Sequence, residues 1–381
     1  MTIVYFQLFI YVMNMKKYAI ITGITGQDGS YLAEYLLNKD YHVFGSVRKS
    51  SSNSMERLDP IKDNPNLQLI NMDFLDTGSI DNFVHTVYNK CKPSLCISED
   101  LEVYNLAAQS HVGESFKIPS ITHQINAVGV IILLESLRNY FKDRFRFYQA
   151  STSELFGNTG NKKNIILNET APFSPTSPYA IAKASAFYTV KNYRKAYDLY
   201  CVNGILFNHE SPRRGKEFVT RKITLGIAEY ASGKNTSPIQ LGNIYAKRDW
   251  GDAREYVKTM HLMLTKQEVM DGILNKYHEV TDFVVATGET RTVKDFCELA
   301  FNKIGVDLEW IGRGVNEKAI NLNNKEETLI EVNKEFYRPS DVHYLLGDAS
   351  LIKEKLKWKY QNTFKDLVDD MVESDLLDVS V

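Results

Sequence analysis

A chain of 381 residues, 44% hydrophobic, can bury a substantial core and is long enough for two domains or one large domain with a lobe. Its net charge of -2 gives no whole-chain reason to expect nucleic-acid binding. The four cysteines, Cys91, Cys96, Cys201 and Cys297, show neither metal-ligand pairing with histidine nor the density of a secreted scaffold, which points to a reducing, cytoplasmic setting and no metal.

The first fourteen residues are odd, because Ile3 to Val12 is almost wholly apolar. No basic residue precedes that run, no small-residue cleavage site follows it, and it is too short to span a bilayer. Residues 1–15 are therefore expected to be an extension, disordered or upstream of a native start at Met15. A weak membrane or partner contact is the minority reading. No other stretch is expected to cross a membrane.

From Tyr18 the chain reads as strand, tight turn, helix: an apolar run ends at Thr22, glycines follow at Gly23, Gly26 and Gly29, and a helical pattern opens with Tyr31, Leu32, Tyr35, Leu36 and Leu37. Glycine serves the turn, the close approach of a phosphate and the packing of helix on strand. The helix N-terminus then offers N–H groups and a positive dipole end to a pyrophosphate. A glycine turn alone is weak evidence; its place between strand and helix is what carries the dinucleotide reading.

A second strand is predicted from Tyr41 to Val47, ending at Arg48 and Lys49, where an NAD-binding fold carries an acidic residue for the ribose. A guanidinium there suits a 2′-phosphate, so NADP is expected over NAD; a solvated basic loop is the competing reading. A third strand, Leu67 to Met72, ends at Asp73 and Phe74, and Lys92 to Asp100 reads as a surface insertion. A fourth strand enters the small-residue loop Leu106, Ala107, Ala108, Gln109 and Ser110, where a cofactor could lie against the backbone. A long helix from about Gln124 to Arg138 and a fifth strand from Phe145 to Ala150 complete an alternation of strands and helices, which implies a doubly wound parallel sheet of Rossmann type.

Ser151, Thr152, Ser153 and Glu154 follow the fifth strand, at the carboxyl end where catalytic groups of such sheets gather. Downstream, Tyr179 and Lys183 at i and i+4 share a helix face, so the ammonium is expected to lower the pKa of the phenol and hold the cofactor ribose. Glu154 supplies a base that could remove a proton beside a transient ketone; a helix-starting glutamate that only caps backbone N–H groups is the plainer reading.

These features together resemble the extended short-chain dehydrogenases that act on nucleotide sugars. Thr152-Ser153-Glu154 replaces the Thr-Asp-Glu of the glucose-type dehydratases and resembles the GDP-mannose 4,6-dehydratase family. The likeness extends through Gln149 to Gly157, Ser177 to Lys183, Phe207 to Gly215, Phe218 to Ile223, Leu241 to Asn243, Ala246 to Gly251 and Tyr337 to Pro339. The resemblance implies Thr152, Glu154, Tyr179 and Lys183 as catalytic residues. It implies NADP contacts from Gly23, Ile24, Thr25, Gly26, Gln27, Asp28, Gly29, Arg48, Asp73, Phe74, Leu106 to Ser110, Lys183, His209 and Arg214. By its own pattern His209 reads as a buried structural histidine.

GDP-mannose is the substrate so implied, with contacts from Ser110, Ser153, Asn208, Val219, Lys222, Leu241, Gly242, Asn243, Arg248, Arg338 and Asp341. Asp341 stands where relatives carry glutamate, Ile121 where a tyrosine is expected, and the loop Asn158 to Thr170 is longer than usual. A homo-oligomer, dimer or tetramer, is also implied. The expected architecture is a Rossmann domain over 16–207, with returns near 239–259 and 284–287, and a smaller, partly discontinuous substrate lobe over 208–381. The stretch Leu351 to Leu377 reads as core-facing helix. A 4-epimerase, another nucleotide-sugar dehydratase or a non-catalytic NADP-binding regulator are the competing functions.

Overall fold

The computed structural model describes residues 16–49, 55–95, 101–161, 165–266, 282–337, 340 and 342–380. Its centre is a seven-stranded parallel sheet in the order β11-β6-β5-β4-β1-β2-β3. The strands are β1 (Lys17–Thr22), β2 (Tyr41–Val47), β3 (Leu67–Asn71), β4 (Leu101–Asn105), β5 (Phe145–Ala150), β6 (Tyr200–Leu206) and β11 (Phe283–Val285). Strand order reverses beside β1, where β2 and β4 pair with it on opposite sides, and an open parallel sheet takes its ligand at such a switch point.

Alternate residues feed the two faces, as a strand's two-residue period requires. Ala19 and Ile21 join one core with Leu32, Leu36, Tyr256 and Met260, drawn from helices α1 (Gln27–Leu37) and α6 (Ala253–Thr265). Tyr18 and Ile20 join the other, with apolar residues of α2 (Thr77–Leu95), α3 (Pro119–Phe141) and α4 (Pro178–Tyr197).

Several elements depart from the sequence reading. Lys92 to Leu95 continue α2 instead of opening an insertion, and residues 96–100, with Cys96, lie outside the described residues, as does the extension 1–15. The predicted helix from Gln124 widens into α3, which contains a π turn at Gln124–Val128. By length and composition α3 could cross a membrane, but half of its apolar window is buried, and Val130, Leu133, Leu134 and Leu137 pack against the sheet. The expected C-terminal helix is two: α8 (Ser350–Leu356) stops at Lys357, whose φ of 55° is left-handed, and α9 (Phe364–Ser380) follows. Leu356 and Trp358 enter the core of the main sheet, whereas Leu367 and Met371 enter that of the smaller lobe.

That lobe is built on a four-stranded sheet, β13 (Leu308–Ile311), β14 (Lys318–Asn321), β15 (Asn324–Val332) and β8 (Ile239–Leu241), covered by α5 (Val219–Ala231), α7 (Val293–Lys303) and α9. Residues 239–241, expected to return to the Rossmann domain, pair with β15 instead, and the return comes through α6, packed beside α1. Strands β7 (Asn208–Glu210) and β10 (Trp250–Asp252) pair in parallel where the chain passes between the two regions, and β9 (Lys247–Arg248) and β12 (Arg291–Thr292) pair antiparallel.

Candidate active site

The turn after β1 has the backbone its glycines imply. Gly23 has φ +69°, and a Cβ there would sit 2.9 Å from Ala107 Cα, so the turn and the loop after β4 can touch only through a glycine. A Cβ on Gly29 would lie 2.4 Å from Gly23 O. Gly26 N–H closes the turn onto Gly23 O at 2.9 Å and caps α1 without a side-chain acceptor, leaving the helix N–H groups facing the turn. Gly23 N–H donates to Ser46 Oγ at 3.1 Å, which ties the end of β2 to the turn; Arg48, exposed, stands two residues further on. Arg57, which the sequence reading did not single out, places a guanidinium nitrogen 3.1 Å from Thr25 O.

The remaining cofactor candidates divide by what their side chains already do. The Asp73 carboxylate accepts from Leu75 N–H, and Phe74 is buried against Gly129. The Gln109 amide is engaged with His111 O and the Thr122 hydroxyl. Leu106, Ala107 and Ala108 are partly exposed, and Ser110 is exposed.

Asp28 and His209, 181 positions apart, form one unit. His209 Nε2 lies 2.8 Å from Asp28 Oδ2 and Nδ1 lies 2.8 Å from Phe207 O. Both partners are acceptors, so both ring nitrogens donate and the ring is an imidazolium. Burial pulls its pKa down, but the Asp28 charge and hydrogen bond hold it above the ordinary value. Burial raises Asp28, and the same partner outweighs that and holds it low. Tyr256 stacks on the ring at 4.8 Å. The His209 side chain is 12% exposed and held at both ring nitrogens. Arg214, predicted beside the cofactor, pairs with Glu210 at 3.0 Å and lies over the Phe218 ring, while its charge acts on Asp28 and Tyr179.

The four predicted catalytic residues come together in a buried corner at the carboxyl end of β5: Thr152 and Glu154 are 8% exposed, Tyr179 9% and Lys183 4%. Thr152 Oγ1 accepts from Glu154 N–H at 3.2 Å, and the Thr152 hydroxyl and the Glu154 carboxylate both act on the Tyr179 phenol, the first lowering and the second raising its pKa. Ser177 caps α4 through Ala180 N–H, and Ser115 accepts from Tyr179 N–H; the sequence reading missed Ser115, which carries no motif.

One expectation is corrected. Tyr179 and Lys183 do share a helix face, but the lysine tip turns to Ala150 O at 2.8 Å and lies 6.0 Å from the centre of the tyrosine ring. Burial pushes the phenol up to about 12, opposed by the Thr152 hydrogen bond and reinforced by Glu154. Burial pulls Lys183 down to about 8, opposed by Asp28. Spacing fixes which face a side chain leaves from, and the nearest carbonyl decides where its end goes.

Of the predicted substrate residues, Ser153 and Leu241 are buried, Val219 opens α5 and Asn208 pairs with Trp250 in β7. Lys222 Nζ sits 3.5 Å from the centre of the Phe336 ring, and a Cβ on Gly242 would lie 2.5 Å from Phe336 O. Phe336 thus joins the two, a contact for which the sequence carried no signal. Asn243 Oδ1 accepts from Tyr245 N–H, and Arg248 is buried with Nη1 on Lys247 O. Arg338 and Asp341 lie outside the described residues.

Residues 20–371 match the family model for GDP-mannose 4,6 dehydratase. Curated GDP-mannose 4,6 dehydratases are 42% identical: that of Drosophila melanogaster over 95% of this chain and 87% of its own length, and that of Homo sapiens over 95% and 92%. The chain belongs to the GDP-mannose 4,6-dehydratase family. A solved UDP-glucose 4-epimerase from Thermus thermophilus superposes with a TM-score of 0.72 over 94% of this chain and 98% of its own, at 19% identity. It shares the fold.

Proposed function

We propose that the chain dehydrates GDP-mannose to GDP-4-keto-6-deoxymannose, a hydro-lyase reaction, with Thr152, Glu154, Tyr179 and Lys183 as its catalytic residues and NADP as its cofactor, in the cytoplasm. The observation that carries the reading is the buried corner in which a hydroxyl, a phenol and a carboxylate meet on a chain of this family.

The residues present suit an NADP group. The open turn at Gly23 to Gly29 would take the pyrophosphate, Arg48 the 2′-phosphate, the loop Leu106 to Ser110 the nicotinamide half and Lys183 its ribose. When bound, NADP would accept the hydride from carbon 4, return it to carbon 6, and bring a positive ring that favours a phenolate nearby.

The protein's own groups do the rest. Thr152 Oγ1 orients the sugar 4-hydroxyl towards Tyr179, whose oxygen takes its proton, with Thr152 stabilising the phenolate and Lys183 holding the cofactor ribose beside it. The 4-ketone so formed acidifies the hydrogen on carbon 5, which the Glu154 carboxylate removes. The hydroxyl on carbon 6 leaves as water with a proton from Glu154 or Tyr179, both protonated by then. Carbon 5 is reprotonated as the hydride returns, so the reaction loses one water without net oxidation. Lys222, Arg248 and Arg338 neutralise the diphosphate, and Ser110, Ser153, Asn208, Val219, Leu241, Gly242, Asn243 and Asp341 shape the nucleotide-sugar site.

Residues 16–207 with α6 and β11 form the NADP-binding part, and the lobe around β8 and β13 to β15 forms the substrate part. The family resemblance, with exposed Ile121, Val128 and Ile131 on α3 and Ile181 and Tyr188 on α4, supports a homo-oligomer built through these helices. Light scattering tests that assembly. Incubation of the NADP-loaded protein with GDP-mannose, UDP-glucose and dTDP-glucose, read by mass spectrometry, tests the activity: water should be lost from GDP-mannose alone.

A further inference from the structure

A chain of buried side chains from three neighbouring strands runs between the glycine turn and Lys183. The N–H groups of Leu106 and Ala107 both donate to Thr22 Oγ1, at 3.0 and 3.1 Å. With two hydrogens arriving, that hydroxyl gives its own proton onward, to Asn105 Oδ1 at 2.7 Å. Asn105 Nδ2 therefore faces the other way and donates to Gln149 Oε1 at 2.8 Å. The same constraint turns Gln149 Nε2 onto Ala150 O at 3.0 Å, the oxygen that also receives Lys183 Nζ at 2.8 Å. Two backbone N–H groups after β4 thus dictate every side-chain orientation from Thr22 to Gln149. Thr22 and Asn105 are fully buried and Gln149 is 1% exposed, so water cannot substitute for a missing partner at low cost.

We infer that Gln149 is a positioning residue for Lys183, fixing where the ammonium sits by sharing the Ala150 carbonyl with it, and that Asn105 and Thr22 tie that position to the Leu106–Ala107 loop. The inference deepens the proposed function and rests on the role given there to Lys183. A carbonyl oxygen has two lone pairs. Gln149 occupies one, so the lysine is held to the other. Among the described residues, Tyr179 lies one turn earlier on α4 and Asp28 acts on Lys183 from α1. Gln149 adds no charge, so its effect is on place. Misplacing a reacting group by about 1 Å can cost about 100-fold in rate.

Gln149→Glu and Gln149→Leu, made in the full-length protein, test this together with Thr22→Val at the far end of the chain. In Gln149→Glu the new carboxylate and Lys183 Nζ would stand no more than about 6 Å apart, since both positions reach one oxygen. A charge at that range should raise the lysine's pKa by about 1 to 3 units. Lysine-selective 13C NMR, with Lys183→Met for assignment, reads that shift without requiring turnover. The pH profile of GDP-mannose dehydration should move its alkaline limb upward to match. Gln149→Leu should lower kcat by about 10- to 100-fold and weaken NADP binding by less, and Thr22→Val should lower kcat less. An unmoved Lys183 titration in Gln149→Glu would overturn the inference whether or not the protein is a dehydratase. So would losses of activity that follow thermal stability alone, with the pH profile in place. Absence of dehydration in the wild type would instead count against the proposed function.

Discussion

Replacing His209 by asparagine would test the ion pair that joins the glycine turn to β7. The substitution removes the imidazolium and leaves the Asp28 carboxylate, 20% exposed, with Gln27 Nε2 at 3.0 Å and the amino end of α1 for company. Removing one partner of a buried pair costs about 3 to 5 kcal/mol, and the residual exposure and the Gln27 donor place this case near the lower figure. The pH dependence has a definite sign. His209 is raised in the fold, so its contribution is complete below the ordinary histidine value of about 6.5 and fades as pH rises through the elevated one. Asp28 is depressed, so its contribution is complete above about 3.9 and is lost on acidification through the lower value. The pair therefore stabilises most between about pH 4 and pH 6.5. Urea unfolding at pH 6 should show wild type about 3 kcal/mol more stable than His209→Asn, with the gap narrowing at pH 9. Asp28→Asn, which lets the ring become neutral and keeps an acceptor, should cost less. A His209→Asn protein within about 0.5 kcal/mol of wild type at pH 6, or a gap that does not narrow with pH, would refute the charged pair.

Gly29→Ala should weaken NADP binding at least about 10-fold and destabilise the fold by about 1 to 3 kcal/mol, because its Cβ would lie 2.4 Å from Gly23 O; cofactor titration and thermal melts check both. Arg48→Ala should lower the preference for NADP over NAD by about 10- to 100-fold, the worth of one charge-assisted phosphate contact, read from the two affinities. Dehydration should fall as pH rises through the Lys183 value of about 8, since the ammonium is the form that donates to the cofactor ribose; a rate that is flat from pH 7 to pH 9.5 would count against that role.

The parts of the site that were legible in the sequence are those encoded locally. The glycine spacing specified the turn, and the i, i+4 spacing placed Tyr179 and Lys183 on one face. What local pattern could not show is where chain ends meet. Asp28 and His209 come together only because β7 passes the start of α1, and Thr22, Asn105 and Gln149 only because β1, β4 and β5 are adjacent. The lysine tip went to a carbonyl that no motif names. The C-terminal stretch looked like one helix because its apolar spacing is helical throughout, yet Lys357 turns left-handed and sends its two halves to different cores. Residues 239–241 read as part of the main sheet because a short apolar strand carries no mark of which partner it will find.

The most direct test of the whole reading is mass spectrometry of GDP-mannose incubated with NADP-loaded protein, wild type beside Glu154→Gln. The expected result is loss of one water with wild type, and a rate at least about 100-fold lower with the variant while NADP still binds. Full activity in Glu154→Gln would contradict the role of that carboxylate, and no loss of water with wild type would contradict the function.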